Sequence, residues 1–205
     1  GVIIRTTNGG DNWSLIQRQA GLINQRIDFP TSDTGYIVGN NGRILKSINR
    51  GLTWVQQTSG TGSFLLSLNF LNANTGATGG NAKILLTTNG GLNWINQNIS
   101  FFPLDQISGI SQLDSVTTIG IANSTNGTQY KTTNSGVDWV TSSLNIPTVF
   151  GGSGDAVRDM DFADQNTGMI VCDLGSILRT TNAGNNWTRD TSFIPVNNYI
   201  RLGIF

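Results

Sequence analysis

The sequence contains no histidine and no glutamate; its twelve acidic residues are all aspartate, balanced by twelve Lys and Arg. A Ser-His-Asp triad, a Cys-His pair and a His-rich zinc site all need an imidazole that this chain cannot supply. The acidic run DMDFAD at 159–164 lacks the central Gly and terminal Glu of a calcium loop, so it marks no metal site. The single cysteine, Cys172, has no partner for an internal disulfide, and within TGMIVCDLG it reads as a small core residue without chemistry. No apolar run approaches the ~20 residues needed to cross a bilayer, and nothing resembles a signal peptide. Zero net charge leaves no global field to recruit nucleic acid. The residue types therefore assign no catalytic residue, cofactor, nucleic-acid partner or transmembrane segment.

What the chain does have is glycine, 26 residues against 4 Pro, and an eight-residue phrase that occurs five times. The copies are TTNGGDNW at 6–13, SINRGLTW at 47–54, TTNGGLNW at 87–94, TTNSGVDW at 132–139 and TTNAGNNW at 180–187. All five Trp residues close these phrases, at spacings of 41, 40, 45 and 48, the period of a one-blade supersecondary repeat. Within each copy, Asn8, Asn49, Asn89, Asn134 and Asn182 can bond backbone N–H groups just ahead and tolerate left-handed conformations. Gly10, Gly51, Gly91, Gly136 and Gly184 supply positive φ, so the phrase predicts a hairpin turn. Trp13, Trp54, Trp94, Trp139 and Trp187 open the next strand and can lie back across the turn. Burying such a ring is worth roughly 4–6 kcal/mol at about 25 cal/mol per Å² before entropy is deducted.

The phrase resembles the Asp-box, or BNR repeat, of sialidases and related β-propellers, with Asn in all five copies where that repeat usually has Asp. The amide keeps the acceptor and loses the charge. The resemblance implies peripheral, structural box turns and an all-β fold: a β-propeller of four-stranded antiparallel blades with about five Asp-box-like repeats.

Turn residues divide the chain accordingly, as one propeller domain over 1–205. Residues 1–22 hold the last two strands of a partial blade; 23–57, 64–98, 105–143 and 156–192 are full blades; 198–205 (NYIRLGIF) is the first strand of a further one. A second mark supports the register: Phe29, Phe70 and Phe162 are each followed four residues later by Asp33, Asn74 or Asn166, then by Thr-Gly. In the divergent unit Leu113 stands near the Phe position. Two strands, four blades and one strand leave a composite closing blade short of a strand. The count favours an incomplete ring, a piece of a propeller of six or seven blades, over a native five-bladed one.

First strands line a propeller's channel, and here they carry Arg26, Asp28, Arg158, Asp159, Asp161 and Arg201. Two readings stand: a patch of Arg26, Arg158 and Arg201 that holds a carboxylate or acidic peptide, or a set of interblade salt bridges. The connections 58–63, 99–104, 124–126 and 144–155 share a face, and Phe101 with Phe102 is either a partner anchor or a local core plug.

The Phe mark, the Val-Gly or Gly-Gly segment after it and the Ile-Leu strand before the box resemble one Asp-box subgroup over nearly the whole chain, the photosystem II stability and assembly factor family. That resemblance implies a non-enzymatic, extracytoplasmic protein-binding propeller, in periplasm, thylakoid lumen or secreted, with a photosystem precursor as partner. Two alternatives are a secreted glycoside hydrolase of the sialidase or xyloglucan-degrading kind acting on an extracellular glycan, and a structural repeat of a bacterial surface protein. A sialidase-like site would need an Arg triad and a Tyr activated by Glu, which the absence of Glu argues against, whereas a xyloglucan-type site would need paired Asp, for which Asp28, Asp159 and Asp161 are present.

Overall fold

The computed structural model describes residues 1–102, 104–124, 127–146, 155–173 and 175–190. Strand 198–205 with Arg201, residues 125–126 of the wide turn and most of the 144–155 connection lie outside them. Among the described residues the structure is all-β: eighteen strands and no helix, hence no helix long and apolar enough to cross a membrane.

The N-terminal strands Val2–Arg5 (β1) and Ser14–Arg18 (β2) form a two-stranded antiparallel sheet. Four four-stranded antiparallel sheets follow, each in simple sequence order. The first is Asn24–Asp28 (β3), Gly35–Gly39 (β4), Ile44–Ser47 (β5) and Val55–Gln57 (β6). The second is Leu65–Phe70 (β7), Gly76–Gly80 (β8), Lys83–Thr87 (β9) and Ile95–Asn96 (β10). The third is Ile107–Gln112 (β11), Thr118–Ala122 (β12), Thr128–Thr132 (β13) and Val140–Ser143 (β14). The fourth is Val157–Phe162 (β15), Gly168–Cys172 (β16), Ile177–Thr180 (β17) and Thr188–Asp190 (β18). First strands lie side by side, β3 against β7, β7 against β11 and β11 against β15, which is the inner wall of a β-propeller.

The middle strands of the first three four-stranded sheets are buried on both faces, and those of the fourth on one, because the core is divided among the blade interfaces. Ile3 of the two-stranded sheet meets Ile37 and Leu45; Tyr36, Val38 and Ile44 meet Leu65, Phe70, Leu85 and Trp94. Ala77, Ile84 and Leu86 meet Ile107, Ile110 and Tyr130, and Ile119 and Ile121 meet Met160, Ile170 and Leu178. Cys172 belongs to this last cluster, where burial first and the charges of Asp155 and Asp173 next push its thiol up to about 12.

The five box turns repeat one hydrogen-bond network. At residues 87–94 the Thr87 hydroxyl accepts from the Gly91 N–H at 2.9 Å and donates to Asn89 Oδ1 at 3.1 Å, while Asn89 Oδ1 also accepts from the Asn93 N–H at 3.0 Å. The sequence reading placed left-handed tolerance on the Asn. The left-handed residues are instead the fourth and fifth of each box, as in Arg50 and Gly51 (φ 61° and 76°) or Ser135 and Gly136 (φ 59° and 84°). In every box the Asn serves as an acceptor, and Asn49 and Asn134 also donate, to Thr53 Oγ1 at 2.8 Å and to Asp138 Oδ2 at 2.9 Å.

The Phe-to-Gly mark has a packing cause. A Cβ on Gly35, Gly76 or Gly168 would lie 2.5, 2.4 or 2.7 Å from the ring of Phe29, Phe70 or Phe162, so the ring occupies the space that only Gly leaves open. The same rings meet the box indoles edge to face at 5.8 Å for Phe29–Trp54 and Phe70–Trp94, and at 5.9 Å for Phe162–Trp187. In the divergent third blade, register puts Gln112 rather than Leu113 at the Phe position, opposite Thr118 where the others have Gly. There Thr118 Oγ1 donates to Gln112 Oε1 at 2.8 Å, and a hydrogen bond replaces ring-on-glycine packing.

Candidate functional site

All four inner strands bulge at one register position. Pairing slips between Asn24 and Arg26, Leu65 and Ser67, Ile107 and Gly109, and Val157 and Asp159. A bulge leaves one residue unpaired and re-aims its side chain. The extra residues, Gln25, Leu66, Ser108 and Arg158, all line one cavity of about 450 Å³, with Arg26, Asp159, Gln106, Asn123 and Asp173.

The structure brings Arg26 and Arg158 together at this cavity, and each carries a carboxylate partner. Arg26 Nη2 lies 3.5 Å from Asp159, which joins β3 to β15, and Arg158 makes a two-pronged pair with Asp173, both Nε and Nη2 donating. The lining is thus a neutral mosaic of two ion pairs among amides. Burial is the largest influence on Asp159 and raises its carboxyl above the usual range despite Arg26; the pair with Asp173 raises the Arg158 guanidinium. Both pairs are partly solvated, so their contribution to stability is of the order of 0–1 kcal/mol each.

At the far end of the inner strands the side chains serve neighbouring backbones. Asp28 Oδ2 accepts from the Phe70 N–H at 2.7 Å, and the equivalent Asn69 Oδ1 accepts from the Gln112 N–H at 2.8 Å, one blade to the next each time. Burial raises the Asp28 carboxyl most, opposed by the bonds from Phe70 and Phe29, with Asp161 adding a smaller upward push. Asp161 lines a second recess of about 340 Å³ with Asn69, Phe70, Gln112 and Asp164.

The two Phe residues part company. Phe101 is half-buried, 5.0 Å from the Tyr130 ring, in the core between the second and third four-stranded sheets. Phe102 is 57% exposed on a segment running into Gln106 at the cavity. Beneath it the Tyr130 hydroxyl donates to buried Asp105, and the Phe102 N–H donates to the same carboxylate oxygen at 3.2 Å. Burial chiefly, and then this bond, raises the Tyr130 phenol.

The residues that sequence reasoning missed here are Gln25, Leu66 and Ser108 with Asp173. The first three stand four residues before Phe29, Phe70 and Gln112, as Arg158 stands before Phe162, so the register mark held the signal. Asp173 has none, because its role depends on how strand ends meet. Among the described residues no cluster of three or more aspartate or cysteine side chains is placed to hold a metal ion.

A family model described as photosynthesis system II assembly factor YCF48 matches residues 5–152. No curated protein sequence matches. Among solved structures the chain is similar to YCF48 bound to D1 peptide, at 15% identity over 82% of this chain and 81% of that one, with a TM-score of 0.51. It is also similar to YCF48 from Cyanidioschyzon merolae, at 15% identity over 90% and 89% of the two chains, with a TM-score of 0.52. The GH74 enzyme of Niastella koreensis superposes at a TM-score of 0.64 and 16% identity, over 87% of this chain and 31% of the enzyme. At such identities these likenesses show the fold alone.

Proposed function

The chain belongs to the photosynthesis system II assembly factor YCF48 family, matched over residues 5–152, and from that membership we propose that it is a non-catalytic, extracytoplasmic propeller that binds a peptide segment of a photosystem precursor at the channel cavity. The observation that carries this reading is the convergence of Arg26 and Arg158 on one cavity of about 450 Å³. Gln25, Gln106 and Asn123 beside them offer donors and acceptors to a peptide backbone. A guanidinium presents a planar fork to a carboxylate, and an incoming peptide carboxylate exchanges with Asp173 or Asp159 for that fork. Exchange of one carboxylate for another gains little free energy, so the internal aspartates hold the affinity down. The likeness to YCF48 bound to D1 peptide supplies the probe.

Isothermal titration of a D1 peptide into the chain tests the proposal. Arg26→Ala and Arg158→Ala should each weaken binding by at least about tenfold, the scale of one lost charged hydrogen-bond pair. Asp173→Asn should strengthen it, by freeing the Arg158 fork from its competitor. Absence of binding, or unchanged binding in both Arg variants, overturns the reading.

A hydrolytic second reading draws on one observation, the electrostatic influence on Asp28 of Asp161, which lines the 340 Å³ recess. Glycoside hydrolysis uses two carboxylates in that manner. The backbone bond Asp28 makes, repeated by an amide at Asn69, favours a structural role. Turnover of xyloglucan or sialosides, lost in Asp28→Asn, would reverse that preference.

A further inference from the structure

Successive blades are joined at their box turns by a cation, and one interior joint is built without it. The residue before each of the first four boxes is Arg5, Lys46, Leu86 or Lys131. Arg5 Nε donates to the Arg50 carbonyl, Lys46 Nζ to the Gly90 carbonyl and Lys131 Nζ to the Ala183 carbonyl, each at 2.7 Å. Each acceptor is the fourth residue of the following blade's box. Between the second and third four-stranded sheets, a joint with further sheets on both sides, the same two places hold Leu86 and Ser135.

The substitution makes this joint smaller in side-chain volume as well as neutral. Lys46 lies 5.4 Å over the ring of Tyr36, its partner across β4 and β5, and the equivalent pair across β8 and β9 is Ala77 and Leu86. A cavity of about 180 Å³ lies here, with Leu86, Ile95, Ser135, Gly136 and Val137 in its lining. Leu86 is 8% exposed, whereas Ile95 and Val137 are 62% and 78% exposed, so the cavity opens to solvent between two aliphatic walls. Ser135 is exposed, and its carbonyl accepts no hydrogen bond from a described residue. The cavity shares no residue with the channel cavity of about 450 Å³.

We propose that this joint is a docking site for a lysine side chain of a partner polypeptide, which enters between Ile95 and Val137 and donates its ammonium to the Ser135 carbonyl. The sibling joints identify the occupant. Three of them already seat a cation on a flexible hydrocarbon stem against the equivalent carbonyl, so the partner's lysine restores from outside the bond that Leu86 leaves out. Its methylenes lie along apolar walls while its charged head stays at the solvent edge, the arrangement long cationic side chains favour. No carboxylate lines the cavity, so the attraction is local and the lysine acts as one anchor within a larger contact.

Titration of N-acetyl-lysine methylamide into the isotope-labelled chain, followed through backbone amide shifts, tests this. Saturable shifts should appear at Gly136 and Val137, with a dissociation constant on the order of millimolar. N-acetyl-norleucine methylamide, which keeps the hydrocarbon and lacks the ammonium, should bind at least about tenfold more weakly. Leu86→Lys supplies the cation from within, as Lys46 and Lys131 do, and should abolish the lysine response. Ile95→Ser, a change at an exposed wall, should weaken it several-fold, and it decides the matter if Leu86→Lys does not fold. Wild type without saturable shifts overturns the proposal, as does an equal response to the norleucine probe, which would mark an apolar groove with no cation site. A lysine response that persists in Leu86→Lys, or is unchanged in Ile95→Ser, overturns it as well, because the ammonium would then be bound elsewhere.

Discussion

Thr87 illustrates why the first residue of the box is fixed. Its hydroxyl bonds both the Gly91 N–H and the Asn89 amide oxygen, and the residue is 2% exposed. Valine has the same shape without the donor and acceptor, so Thr87→Val strands a buried backbone N–H and should cost about 1–3 kcal/mol in chemical denaturation. Thr6, making the same bonds in an exposed turn, lets water replace the hydroxyl, and Thr6→Val should cost less than about 1 kcal/mol. Equal costs at the two positions would show that the network acts through turn geometry rather than through buried pairing.

The blade is the unit in which side-chain stacking becomes cooperative. Tyr36 of one blade stacks on Phe70 of the next at 3.7 Å, Phe70 meets Trp94 edge-on at 5.8 Å, and the Tyr36 hydroxyl donates to the Ala73 carbonyl at 2.8 Å. Trp94 is 8% exposed, so Trp94→Ala should cost about 3–5 kcal/mol. Trp13 occupies the same place in the phrase but is 57% exposed, and Trp13→Ala should cost under about 1 kcal/mol. A large loss at Trp13 would mean that the indole stabilises its own turn without a neighbouring blade. This contrast marks what the sequence alone could carry. Trp, Gly and Phe recur at fixed intervals, so blade type and strand order were legible in the spacing. Whether a given Trp is buried depends on the blade beside it, which no local phrase encodes. The inward-facing bulges were hidden for a related reason: Gln25, Leu66, Ser108 and Arg158 share a position but no chemistry.

At the scale of the ring, stability should depend on pH through the carboxylates held between inner strands. Asp28 has its carboxyl raised in the folded state, chiefly by burial, and Asp159 likewise in spite of Arg26. For an acid the sign is fixed: a raised folded pKa means that the protonated form fits the fold better. The charged form is therefore penalised at neutral pH, and the penalty disappears as pH falls through the folded value to the unfolded one near 3.8. Asp114 runs the other way, lowered on balance by the N–H bonds from Val116 and Thr117 against its own burial, so its contribution is lost on acidification. The chain itself contains the test of which term governs the ring. Asn69 holds the register position of Asp28 in the next blade and accepts the same kind of backbone bond at 2.8 Å without a charge. Asp28→Asn should therefore keep the bond to Phe70, raise the melting temperature at pH 7, and flatten the rise in stability that wild type shows between pH 7 and the unfolded carboxyl value. A lower melting temperature at pH 7 would mean that the Phe70 N–H draws more from a carboxylate than burial takes away, and the charge on Asp28 would then be one of the ties between adjacent blades.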